Sequence, residues 1–195
     1  PELRLRLPRL LPGLVICGVG LALMVLADLG LGPWEALHQG LSERTGVPIG
    51  TVGILVGFVV LAGWVPLRQR LGVGTLCNVV LIGLVIDAVL AVAPQPQGLA
   101  ARTACLVGGI AGMAVGSGLY IGAGLGPGPR DGLMTGLAAR GHSVRRARTV
   151  VEATALAVGW ALGGTVGVGT LAFAFAIGPL VQASLARLSV PAPAS

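Results

Sequence analysis

Two short stretches carry the residues best suited to chemistry. Gly30-Leu31-Gly32-Pro33 is followed by Trp34, Glu35 and His38, and Gly126-Pro127-Gly128-Pro129 is followed by Arg130 and Asp131. Glycine and proline end a preceding helix, and proline then suits the first turn of a new one. Glu35 and Asp131 fall in that first turn, where a carboxylate meets the positive end of the helix dipole. One reading is a discontinuous helix whose free backbone amides and carbonyls line a substrate or ion site. On it, Gly30, Gly32, Pro33, Trp34, Glu35, His38, Gly126, Gly128, Pro129, Arg130 and Asp131 are the substrate-binding candidates. The other reading is a pair of corners at the membrane interface whose acids only cap, because unsatisfied backbone is costly in lipid.

Asp87 and Glu152 join the candidates, with Asn78 as an uncharged companion, since polar groups inside an apolar span usually face a bundle interior. Asp87 contacts substrate or pairs with a neighbouring helix; Glu152 also has arginines close by at helical spacing for a simple ion pair. His38 and His142 lack a partner His or Cys at ligand spacing, so no metal site is expected. No Ser-His-Asp pattern, phosphate loop or dinucleotide fingerprint occurs, and neither an enzymatic activity nor a cofactor is predicted. Cys17, Cys77 and Cys105 lie in apolar runs as small hydrophobes. Trp34, Trp64 and Trp160 fall near the ends of apolar runs, where an aromatic belt accounts for them; Trp34 could also stack on a ligand.

The elements that must position these residues are apolar helices. Of 195 residues, 54% are hydrophobic and 10% charged, with a mean hydropathy of +0.91; soluble domains carry about 25% charged residues. A bilayer core about 30 Å thick needs roughly 20 apolar residues as helix. Six segments come close, at 10–29, 49–67, 73–93, 104–125, 148–166 and 168–188. The fifth is the weakest, with Glu152 near its start and Gly163-Gly164 near its end. The basic N-terminal stretch is expected to precede a retained first helix, because no small-residue cleavage site follows it.

All 13 basic residues are arginine. With the N-terminus in the cytoplasm, only Arg44 and Arg102 fall outside, which suits six spans with both termini inside. The arginines sit in short clusters between apolar runs, which points to lipid headgroups and topology rather than nucleic acid.

The chain also repeats itself. At an offset of 96, Gly30-Leu31-Gly32-Pro33 falls on Gly126-Pro127-Gly128-Pro129, Glu35 on Asp131, Gly40-Leu41 on Gly136-Leu137, and Gly63-Trp64 on Gly159-Trp160. One deletion later, Gly72-Val73-Gly74-Thr75 falls on Gly167-Val168-Gly169-Thr170, Gly83 on Gly178, and Asp87 on Gln182. The expected fold is therefore all-α, a single polytopic membrane domain over 1–195. Residues 10–93 form one three-helix repeat, 94–101 a linker, and 102–188 a second repeat inverted by its odd number of crossings.

Leu29-Gly-Leu-Gly-Pro-Trp-Glu-Ala-Leu-His-Gln-Gly-Leu41, Gly50-Thr51, Gly72-Val-Gly-Thr75 and Gly124-Leu-Gly-Pro-Gly-Pro-Arg-Asp-Gly-Leu133 together resemble the YczE/YyaS/YitT group of bacterial integral membrane proteins. The resemblance runs from about Leu14 to Leu188 and implies a multi-pass protein of the bacterial cytoplasmic membrane. It implies no particular activity. The repeat, the breaks and the buried acids predict a small permease for a small-molecule substrate, and the thinness of a six-helix bundle suggests a homodimer. The alternative is a non-transporting scaffold that supports biosynthesis or export of another product.

Overall fold

In a computed structural model that describes residues 2–141 and 143–188, the chain is all-α. His142 lies outside the described residues. Eight helices occur among the described residues: α1 (Glu2–Ala27), α2 (Pro33–Thr45), α3 (Ile49–Leu67), α4 (Val73–Val92), α5 (Gly98–Gly122), α6 (Pro129–Ala138), α7 (Val144–Ala161) and α8 (Val168–Leu188). Five are long and apolar enough to cross a membrane: α1, from Arg6 onward, α3, α4, α5 and α8. The protein is thus a polytopic α-helical membrane protein. The fifth expected span corresponds to α7, which is not among the five. Arg145, Arg146, Arg148 and Glu152 occupy its first half. The expected linker is also shorter, since α5 already begins at Gly98.

α1 and α5 form the centre and are the most buried of the apolar helices. They meet glycine to glycine. A Cβ at Gly13 would stand 2.9 Å from the Gly116 carbonyl oxygen, and one at Gly20 would stand 2.7 Å from that of Gly109. Early residues of α1 face late residues of α5, so the two helices run antiparallel. Glycine weakens a helix by about 0.5–1 kcal/mol relative to alanine. Here it lets two backbones touch, which is how helices pack in lipid, where hydrophobicity does not drive them together.

The Gly/Pro breaks are held by the opposite half of the chain. Gly74 N donates to the Leu125 carbonyl at 2.9 Å, and Gly169 N donates to the Leu29 carbonyl at 2.7 Å. These two bonds are counterparts in the repeat. They satisfy irregular backbone that lipid would leave unpaired. Gly30 and Gly126 adopt φ of +119° and +129°, a region that L side chains avoid.

α2 runs back into the bundle alongside α7 and in the same direction. Trp34 lies near Val150 and Val151, Gly40 abuts Gly159, and Arg44 Nε donates to the Leu162 carbonyl at 3.2 Å. α6 runs alongside α3 in the same way, with Trp64 Nε1 donating to the Pro129 carbonyl at 3.0 Å and Arg140 reaching the Pro66 carbonyl.

Two of the three tryptophans are buried within the protein rather than set in an aromatic belt. Trp64 is 1% exposed and Trp34 7%, whereas Trp160 is 69% exposed. Trp64 fills the slot left by Gly132 on α6. The counterpart of Gly132 on α2 is Ala36, whose methyl closes that slot, and Gly159 lets α7 press directly on the Ala36–Leu37 backbone instead. Trp160 is left outside.

Candidate functional site

The first turns of α2 and α6 converge on a cavity of about 330 Å³ that touches all eight helices. Its polar lining is Trp34, Glu35 and His38 from α2, Asn78 from α4, Ser117 and Tyr120 from α5, Arg130 and Asp131 from α6, Arg148 and Glu152 from α7, and Gln182 from α8. Its apolar lining includes Leu21, Val79, Ile82, Met113 and Phe173. A small concave space with mostly apolar walls and a few convergent polar groups is the usual form of a small-molecule site.

An ion pair bridges the two breaks. Arg130, at the second helical position of α6, bonds the Oε1 of Glu35 at the third helical position of α2, and its guanidinium lies over the Trp34 ring at 5.4 Å. Glu35 is 3% exposed. Arg130, a substrate-binding candidate that the positive-inside count also takes as cytoplasmic, thus joins the first turns of α2 and α6. Glu35 Oε2 and Trp34 Nε1 are the buried side-chain polar atoms without a partner among the described residues. Such atoms usually mark a site for water or ligand. Glu152 makes the anticipated ion pair with Arg148 at 3.0 Å and also faces the cavity.

Asp87 stands elsewhere. Its carboxylate accepts from Gly50 N at 2.6 Å, Thr51 N at 2.8 Å and Thr51 Oγ1 at 2.7 Å, so it caps the first turn of α3 from the neighbouring helix. Asp87 is outside the cavity lining, and the pairing alternative describes it. Its repeat counterpart Gln182 does line the cavity. Asp87→Ala should lower stability by about 1.5–3 kcal/mol, the range for hydrogen bonds to a charged group. The change would register as a lower melting temperature of purified protein; an unchanged melt would show that the Asp87 cap contributes nothing.

Gly30 and Gly126 shape the breaks rather than the wall. Gly30 packs against Gly167 and Thr170, and Gly126 against Thr75. Pro33, Gly128 and Pro129 do line the cavity, while Gly32 is enclosed beside Glu35 and Phe173. Ser117, Tyr120 and Arg148 were not anticipated. Ser117 and Tyr120 share one face of α5 at helical spacing, which was the available signal. Arg148 is expected as a topology arginine and an ion-pair neighbour of Glu152, not as part of a cavity wall.

The sequence matches a family of unknown function, DUF6198, over residues 5–185. It is 40% identical over 174 residues to an uncharacterized protein of Haemophilus influenzae, covering 89% of this chain and 80% of that one. It is 34% identical over 188 residues to the uncharacterized membrane protein YczE of Bacillus subtilis, covering 94% of this chain and 87% of that one. No solved structure matches it.

Proposed function

The chain belongs to the DUF6198 family of unknown function and is a multi-pass bacterial membrane protein; from its own residues we propose that it is a small permease. On this reading it has six spans, α7 included, with both termini cytoplasmic. The halves are inverted repeats, and a solute enters the central cavity from each side of the cytoplasmic membrane in turn. The antiparallel α1–α5 contact supports inversion, because a twofold axis along the membrane normal would make these counterpart helices parallel.

One observation carries the reading: of two matched helix pairs, α3–α4 is packed and α7–α8 is not. Between α3 and α4, Gly83 is buried against the Gly50 carbonyl and Ile54, and Asp87 fastens the start of α3. The counterpart pair is α7 and α8, at Gly178, and these two helices do not pack closely on each other. Gly178 is exposed, a Cβ there would have nothing within 4 Å, and Arg148, Glu152 and Gln182 line the cavity. One wall is shut and its twin is open. Exchange of the two arrangements would expose the cavity on the other side. The charged lining supports this reading over that of a scaffold, which needs no such cavity.

Disulfide trapping tests it in protein whose Cys17, Cys77 and Cys105 are replaced by alanine. A Cβ at Gly57 would lie 3.5 Å from that of Val79, within disulfide range, so a Gly57→Cys/Val79→Cys pair should lock the shut wall. The counterparts are Ala153 and Ala174, both now exposed. An Ala153→Cys/Ala174→Cys pair should also form a disulfide in vesicles, and locking either pair should stop solute flux. If the second pair never cross-links while the first does so completely, the protein is static and the scaffold reading takes over.

A further inference from the structure

The repeat leaves one position in the cavity without its charge. Arg130 of α6 reaches across to Glu35 of α2. The counterpart of Glu35 is Asp131, and the counterpart of Arg130 is residue 34. A symmetric pair would need a cation at 34, but tryptophan stands there. Asp131 consequently has no ion-pair partner among the described residues, although it lines the cavity. Three carboxylates line the space (Glu35, Asp131 and Glu152) against two arginines (Arg130 and Arg148).

We propose, resting on the permease reading, that the cavity binds a small organic monocation with N–H donors, a primary ammonium or guanidinium, whose head takes the place beside Asp131 that an arginine at 34 would fill. Three features fit it. The Glu35 Oε2 is a buried acceptor without a donor among the described residues, on a side chain 3% exposed that lines the same cavity. The Trp34 ring already holds a guanidinium, that of Arg130, at 5.4 Å, so its face suits cations. Neither helix dipole calls for an added anion, because Glu35 and Asp131 already occupy the first turns of α2 and α6. No group of His, Cys, Asp and Glu suited to a metal ion occurs among the described residues, which favours an organic cation over a metal ion.

The test uses the full chain in lipid nanodiscs, titrated calorimetrically with methylguanidinium and ethylammonium, and with acetate, phosphate and acetamide as contrasts. Saturable binding of one or both cations and of none of the contrasts is expected. Asp131→Asn should weaken that binding about tenfold or more, the scale of one lost charged hydrogen bond. Trp34→Arg should abolish it by supplying the missing cation from within. A melting temperature near that of the parent shows that each variant is folded; if Trp34→Arg is not, Asp131→Asn alone decides. Preference for an anion or the neutral amide, no saturable binding of either cation, or cation binding unaltered in folded Asp131→Asn would overturn the proposal. Cation binding without flux would remove transport and leave this site standing; flux of an anion would do the reverse.

Discussion

Gly20→Leu should leave almost no folded protein in the membrane, whereas Gly63→Leu should leave its amount and melting temperature unchanged. Both glycines sit inside apolar helices, and leucine is the better helix former at either place. The difference lies in what the side chain meets. A Cβ at Gly20 would be 2.7 Å from the Gly109 carbonyl oxygen and 2.8 Å from the Met113 amide nitrogen, whereas one at Gly63 would have nothing within 4 Å. Overpacking a core against movable side chains costs about 1–3 kcal/mol. Backbone cannot step aside without moving α5, on which α8 also packs, so the expected cost exceeds about 4–5 kcal/mol, the exceptional class for one substitution. The repeat adds an internal check. Gly116 is the counterpart of Gly20 and would meet the Gly13 carbonyl and the Cys17 backbone, so Gly116→Leu should fail in the same way. Membrane-fraction yield and size-exclusion profile in mild detergent measure all three. Normal yield of monodisperse Gly20→Leu protein would show that α1 and α5 do not touch as described.

That contact was legible in principle, since Gly13 and Gly109, like Gly20 and Gly116, are 96 apart, the offset already visible in the Gly/Pro breaks. The breaks themselves, the helices after them and five of the six expected apolar spans follow from local residue chemistry, and the structure has them close to where that chemistry puts them. What spacing could not supply is which distant residues meet. Asp87 is as acidic and as deep in its apolar run as a binding residue would be; only the approach of α3, permitted by Gly50 and Gly83, makes it a cap. Arg130 stands out as a candidate beside the second break, but its partner Glu35, 95 residues away, is named by no local spacing. Trp64 and Trp160 are equivalent in the repeat, and their different fates depend on Gly132 against Ala36, a difference of one methyl on a partner helix. Charge and hydropathy averages are blind to each of these, because each is decided by a single neighbour far away in the chain.

Arg130→Gln is the second large effect, and it is set by Glu35 rather than by the arginine. With the guanidinium gone, a carboxylate 3% exposed keeps its charge with no counter-ion, or takes up a proton in order to stay buried. Breaking a buried pair from one side costs about 3–5 kcal/mol, because an uncompensated charge remains. Glu35→Gln should cost less, since Arg130 is partly exposed and can turn toward the cavity, where Asp131 stands. Arg130→Gln/Glu35→Gln should therefore be more stable than Arg130→Gln alone, the reverse of what independent contributions would give. The exposed Arg102–Asp28 pair provides the contrast, with side chains 33% and 59% exposed. The ion-pair share of Arg102→Gln should be within about 1 kcal/mol, as for surface pairs generally. Melting temperatures of the purified variants in one detergent decide the order. If the double variant is less stable than Arg130→Gln, Glu35 is not held by that arginine, and the convergence of the two breaks on a shared charged site loses its energetic basis.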